Sequence, residues 1–249
     1  MRHLQTGHLL LFRILRDECL FLNSRQIQRI LTRAKRAANK ELAWLVSAGY
    51  LQRRYRLETV SHFQVPLYYL GKLGWEMVGN AAEGYRAYQK EIAQRSERQT
   101  DHLLAVYDVF LKFILESEVK QIIGGEDRLW QESLGFGNLP DGWIQSNGGE
   151  VFIEVDLGTE RPGVVAKKFA NYIKFKESGN YGLMFPGCGF KVLFITTTEV
   201  RIESLERLAM TDDIWFATMD EFVRERLDHQ HWFAVNGFYA LPVAAKKEV

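Results

Sequence analysis

The residues best placed to do chemistry are acidic and lie within Asn138–Lys168, NLPDGWIQSNGGEVFIEVDLGTERPGVVAKK. Asp141 follows Pro140 at the head of a short apolar run. Asn147-Gly148 then marks a tight turn, since both residues tolerate the positive φ of a type I′ hairpin. The next run alternates: Val151, Ile153, Val155 and Leu157 point one way, and Phe152, Glu154 and Asp156 the other. Two carboxylates therefore share one strand face, and the hairpin brings Asp141 beside them. Three acids at one sheet edge repel one another unless a cation lies between them. Hard oxygen ligands suit Mg2+ or Mn2+, so Asp141, Glu154 and Asp156 are the expected metal ligands. The alternative is a solvated strand face that happens to be acidic.

The chain that must position these residues has 249 of them, enough for two ordinary domains. A hydrophobic content of 47% is that of a packed globular protein rather than a disordered one. Cys19 and Cys188 have no paired spacing, which argues against a disulfide framework or zinc site and fits two buried thiols in a reducing compartment. No stretch approaches the roughly 18 apolar residues of a membrane span. The early run HLLLFRILRDE meets charge too soon for a signal peptide. The reading is a cytoplasmic protein with no membrane partner.

The net charge of +1 hides an asymmetry. Residues 1–100 carry 17 Lys/Arg against 8 Asp/Glu, and the remainder 15 against 23. A basic part that faces nucleic acid is thus joined to an acidic part. Within the basic part, helices are expected over Gly7–Glu18, Arg25–Leu31 (capped by Asn23 or Ser24) and from Thr32, as cap, to about Ala48, where Gly49 stops the chain. Two strand-like runs follow, LQRRYRLE and VPLYYLG. Three short helices and a β-hairpin make the winged helix-turn-helix pattern. Its third helix is the expected recognition helix. Arg33, Lys35, Arg36, Asn39 and Lys40 would enter the major groove, and Arg53, Arg54 and Arg56 on the first wing strand would hold the backbone or minor groove of double-stranded DNA. A basic solvated helix in a protein-binding winged helix is the alternative.

The charged stretch Ala81–Gln99 reads as a helical linker or arm, and Asp101–Glu118 as an amphipathic helix with His102 at its start as a cap or hydrogen-bonding residue rather than a ligand. Gly124-Gly125 breaks the chain. Strands are expected over Arg128–Ser133 and on both sides of Asn147-Gly148. A helix from Pro162 to about Glu177, a buried strand Lys191–Thr198, a helix Arg201–Met210 and a last strand Ile214–Met219 complete a mixed sheet with helices on both faces. The buried face of the Pro162 helix is assigned to Val164, Val165, Phe169, Tyr172, Ile173 and Phe175. Lys168 falls at its edge, within reach of the acids. The expected organisation is α+β in two domains, with a winged helix over 1–80, a linker over 81–100 and a second domain over 101–249.

The order helix–strand–strand–strand–helix–strand resembles the core of the PD-(D/E)XK, or restriction-endonuclease-like, superfamily, with Pro140-Asp141 and Glu154-Val155-Asp156 as its motif. The whole chain is more closely similar to the replication-relaxation family of plasmids and integrative elements. The shared marks are the basic winged helix ending AGYL, the His102 helix, LPDGWI, FIEVDLGTE with a lysine-rich helix after it, and KVLFITTTE. The nuclease resemblance implies that Asp141 and Glu154 bind Mg2+, which activates a water and polarises a scissile phosphate. This sequence has Asp156 where that pattern has lysine; either the acid serves there, as in some restriction enzymes of this fold, or a lysine has moved to the next helix, where Lys168 is the candidate. The resemblances together imply a mobile-element protein acting in replication, relaxation or transfer, with replication or conjugation proteins as partners and a homodimer if its DNA target is palindromic. Its second domain is either a Mg2+- or Mn2+-dependent endonuclease or a non-catalytic relic in a DNA-binding accessory protein.

Overall fold

The computed structural model describes residues 3–57, 64–79, 82–125, 140–146, 149–184, 190–227, 231–234 and 237–240. The chain divides into two compact units, residues 1–107 and 108–249. Among the described residues no helix is long and apolar enough to cross a membrane.

The first unit opens with helices α1 (Thr6–Asp17), α2 (Ser24–Leu31) and α3 (Lys35–Ser47), with the two-residue strand β1 (Leu22–Asn23) before α2. Asn23 caps α2: its side chain accepts from Gln26 N–H at 2.9 Å, and Gln26 returns the bond to Asn23 N–H at 3.0 Å. Thr32 does not cap α3 as its type suggested. It closes α2 instead, left-handed at φ 50°, with its N–H on Arg29 O. The helices pack on an antiparallel sheet ordered β1-β3-β2, where β2 is Leu51–Leu57 and β3 is Gln64–Leu70. A short helix α4 (Lys72–Met77) follows.

The stretch read as a linker forms helix α5 (Ala82–Gln94), which is pinned into the first unit. The Tyr88 hydroxyl donates to Leu20 O at 2.8 Å and accepts from Leu70 N–H at 3.0 Å. Helix α6 runs Glu97–Glu116, beginning earlier than Asp101 because Ser96 and Gln99 form a capping pair ahead of it. His102 therefore sits inside the helix, not at its cap.

The second unit is built on a seven-stranded mixed sheet. Strands β4 (Val119–Gly124), β5 (Gly142–Ser146) and β6 (Gly149–Asp156) form an antiparallel meander. Helix α7 (Pro162–Glu177) and the short α8 (Asn180–Met184) cross to β7 (Val192–Thr196), and α9 (Glu199–Ala209) crosses to β8 (Ile214–Thr218). Both crossovers join parallel neighbours, as the connection requires. After helix α10 (Met219–Arg224), the antiparallel strands β9 (His231–Ala234) and β10 (Gly237–Ala240) extend the sheet beyond the strand expected to be last. The expected strand Arg128–Ser133, the Asn147-Gly148 turn and Cys188 lie outside the described residues. The strand that starts the meander is β4, which ends on the first of the two glycines, Gly124.

The sheet order is β10-β9-β8-β7-β6-β5-β4, which puts β6 inside the sheet and not at its edge. Both its faces are covered, so every residue from Glu150 to Asp156 is buried. On one face α6 approaches so closely that a Cβ at Gly142 would lie 2.5 Å from the Phe110 ring. On the other, Phe152 meets Tyr172 and Phe175 of α7 (ring centroids 5.7 and 6.1 Å), and Phe169 meets Phe194 and Phe216 edge-on. The α7 residues in this core are Val165, Phe169, Tyr172 and Phe175. Val164, assigned to the buried face from the wheel, is exposed, and Ile173 is half-buried.

Candidate functional site

Two sets of residues carry the functional reading, one in each unit. In the second unit, β6 presents Glu154 and Asp156 to the α7 side of the sheet, both almost fully buried. Gly142 stands opposite Ile153, so the chain just before it runs alongside Glu154, and Asp141 reaches across to accept the Val155 N–H at 2.7 Å. The sheet thus brings Asp141 and Glu154 together as the alternation required. Lys168 arrives from α7, its Nζ 2.9 Å from Glu154 Oε2 and 2.9 Å from Glu160 Oε1. Tyr172, one helical turn on, donates its hydroxyl to Glu154 Oε1 at 2.7 Å.

Electrostatics follow from this burial. The Glu154 carboxyl is pushed up to about 7, first by its removal from water and next by the charge of Asp141, while Lys168 and Tyr172 pull it back. For Lys168, burial opposes the charge, yet Glu154, Glu160 and Asp141 outweigh it and hold the ammonium above its ordinary value. Burial and then the charge of Glu154 raise the Tyr172 phenol well above its usual range, so it remains a donor.

Asp156 faces a different cation. Arg201, near the start of α9, grips its Oδ2 with Nε at 2.9 Å and Nη2 at 2.7 Å. Asp156 Oδ1 accepts from the N–H of Gly158 at 2.9 Å and of Glu160 at 3.4 Å, which folds the chain over at Gly158 (φ 78°). Arg201 also donates to the Glu160 carbonyl, so the loop between β6 and α7 is clamped from both sides.

Both oxygens of Glu154 and both of Asp156 already accept protein donors, and one cation of the chain is seated against each carboxylate. Among the described residues, no group of three His, Cys, Asp or Glu side chains is placed to hold a metal ion. A divalent cation at Asp141, Glu154 and Asp156 would therefore compete with Lys168, Tyr172 and Arg201 for the same oxygens. Sequence reasoning found Lys168 but missed the other two donors. Tyr172 stands four residues after Lys168 on a helix facing Glu154, a spacing that carried the signal. Arg201 was invisible in the local sequence, because only the parallel pairing of β6 with β7 brings the start of α9 to the end of β6.

In the first unit, α3 buries Ala38, Leu42 and Leu45. Arg33, Lys35, Arg36, Asn39 and Lys40 are all exposed, and none of Lys35, Arg36 and Lys40 pairs with a described acid. Arg33 donates to Gln5 Oε1 at 3.1 Å. Gln5 and His8 form a capping box at the head of α1: His8 Nδ1 accepts the Gln5 N–H at 3.0 Å, which leaves Nε2–H to donate to Glu41 Oε1 at 3.0 Å. His8 is thereby a buried strut between α1 and α3.

On β2 the three arginines part company. Arg53 points outward, its guanidinium 4.9 Å from the Tyr55 ring centroid. Arg54 points the other way, donating to Ile92 O at 2.8 Å and lying over the Phe21 ring. Expected at DNA, Arg54 is instead a brace between the hairpin and α5, because strand alternation sends adjacent side chains to opposite faces. The side chain of Arg56 lies outside the described residues.

No curated protein matches the chain. The family model described as replication-relaxation matches residues 12–184, well over half of its length. The chain belongs to the replication-relaxation family.

Proposed function

We propose that this chain is a DNA-binding protein of mobile-element replication, in which the first unit is a winged helix that docks α3 on double-stranded DNA. The observation that carries this reading is the exposed row Lys35, Arg36, Asn39 and Lys40, beside a helix face whose apolar residues are buried. Unpaired cations on a recognition helix displace condensed counterions from DNA, and arginine and asparagine there have the donors and acceptors to read base edges. The first unit has 17 Lys/Arg against nine Asp/Glu, so its long-range field also attracts a polyanion.

The second unit is a restriction-endonuclease-like core in this proposal. The order α6-β4-β5-β6-α7-β7 supports it, as does the place of Asp141 and Glu154 within that order. Its acids are structural. Lys168 and Tyr172 satisfy Glu154, and Arg201 satisfies Asp156, so the site works as a buried ion-pair network that ties α7, α9 and the loop after β6 to the sheet. The protein then binds DNA without cutting it.

The test combines binding with cleavage. Fluorescence anisotropy on duplex DNA should give an affinity that falls steeply with salt, with a log–log slope of about −0.9 per phosphate neutralised. Incubation with supercoiled plasmid in Mg2+ or Mn2+ should leave the plasmid intact. Nicking by the wild type but not by Glu154→Ala would replace this conclusion with a metal-dependent nuclease. Absence of salt-sensitive DNA binding would remove the first half of the proposal.

A further inference from the structure

Strand β2 changes character along one of its faces. Leu51, Arg53 and Tyr55 lie on the same side, two residues apart each time. Leu51 pairs across the hairpin with Leu70, and both are fully buried in the core of the first unit. Arg53 pairs with Tyr68, and Tyr55 with Pro66. The face therefore leaves the core as aliphatic, passes over a buried tyrosine beneath a guanidinium, and ends in a tyrosine with 52% of its surface in solvent. Helix α3 packs against this same strand.

Arg53 is placed between two tyrosines of the hairpin. It stands directly across the hairpin from Tyr68, and its guanidinium lies against the Tyr55 ring. A planar cation fixed against a half-exposed aromatic ring, with proline opposite, is a preorganised flat surface. Tyrosine loses little side-chain entropy on contact, having two rotatable bonds. The ligand chemistry that matches is flat, aromatic and attached to an anion. A nucleobase in DNA has all three properties, and the net positive charge of this unit selects for it over an apolar peptide. Within intact duplex the base faces are already stacked, and opening a step costs a few kcal/mol. A tyrosine on the wing gains most where that stack is already broken.

We propose that Tyr55 and Arg53 form a stacking site for an unpaired nucleobase, so that the protein prefers DNA with a local opening over the same sequence fully paired. The inference rests on the DNA-binding reading of the first unit and extends it from duplex docking to recognition of melted DNA. One base–aromatic stack sets the size of the preference at about five- to hundred-fold.

The experiment compares a fully paired duplex with the same duplex carrying one 2-aminopurine opposite an abasic site. Anisotropy gives the two affinities, and 2-aminopurine fluorescence reports stacking directly. The wild type should favour the opened duplex at least about five-fold and quench the probe. Tyr55→Phe should retain both effects, since the ring remains. Tyr55→Ala should bring the affinity ratio to about one and restore fluorescence. Arg36→Ala should weaken binding to both DNAs while preserving their ratio. Equal wild-type affinities with an unquenched probe would overturn the stacking site while leaving duplex binding intact, and so would a ratio unchanged in Tyr55→Ala. Failure of the wild type to bind either DNA would overturn the DNA-binding reading and the stacking site with it.

Discussion

Replacing Lys168 by methionine removes the cation facing Glu154 while keeping most of the aliphatic stem. A buried ion pair broken on one side generally costs about 3–5 kcal/mol, because the remaining charge is stranded. Here the stranded group has an escape. Burial and Asp141 push the Glu154 carboxyl up to about 7 even with Lys168 present, so at pH 8 taking up a proton costs little. Protonation is cheaper than an unpaired buried charge, and it caps the electrostatic loss. The folded value lies above the ordinary 4.5, so ionisation of Glu154 lowers stability as pH rises from about 4.5, and in the wild type this decline levels off above about 7. In Lys168→Met the carboxyl titrates higher still, and the decline continues. The stability difference between the two proteins should therefore be smallest near pH 6, where loss of Lys168 removes chiefly its contact with Glu160, grow by roughly 1 kcal/mol per pH unit above pH 7, and stay below the generic figure at pH 8. Urea unfolding monitored by tryptophan fluorescence between pH 6 and 9 measures it. A difference independent of pH, or one of several kcal/mol already at pH 6, would refute the reasoning. A more stable Lys168→Met protein at pH 8 would show the lysine to be strained for function instead.

Two further outcomes follow from the same geometry. Arg201→Ala leaves the buried Asp156 with only backbone donors, and should lower stability on the order of 3 kcal/mol; thermal unfolding of Arg201→Ala beside Arg207→Ala, at the exposed far end of α9, separates this from a general effect on that helix. Arg36→Ala and Lys40→Ala should each weaken DNA binding and flatten its salt slope by about 0.9, whereas Arg54→Ala should reduce folding stability and leave the slope of the folded protein unaltered. Equal slopes in all three variants would count against α3 as the DNA-facing helix.

Where one local rule dominated, the sequence could be read directly. Strict alternation from Val151 to Leu157 put Glu154 and Asp156 on one face, and the hairpin brought Asp141 to the same side. It could not tell that both faces are covered, because the cover comes from α6 and α7, which are remote in sequence. The same alternation distinguishes Arg53 from Arg54, yet three arginines in four residues read as one basic patch until the parity of the strand is applied. Strand β4 escaped notice for a different reason: of VKQIIG only Ile122 is buried, so an edge strand carries little apolar signal. Thr32 has the side chain of a helix start, but its backbone is needed to reverse the chain after Leu31, and the left-handed turn prevails over the capping preference.

The acid cluster is where local reading and tertiary structure diverge most, and the divergence bears on function. Three carboxylates in that order call for positive charge, and the sequence could only ask whether the charge is a metal ion or part of the chain. Lys168, four residues before Tyr172, satisfies Glu154 from a helix whose other buried residues, Val165, Phe169 and Phe175, form the core against the sheet. Arg201 does the same for Asp156 from the neighbouring crossover. Each cation is therefore held by an element that cannot move away without exposing aromatic core. A metal ion entering between Asp141 and Glu154 would have to displace the lysine ammonium or share the carboxylate with it, and Arg201 would remain on Asp156 in either event. The buried carboxylates of β6 are thus each met by a cation of the chain itself, carried on a helix whose apolar residues are committed to the core.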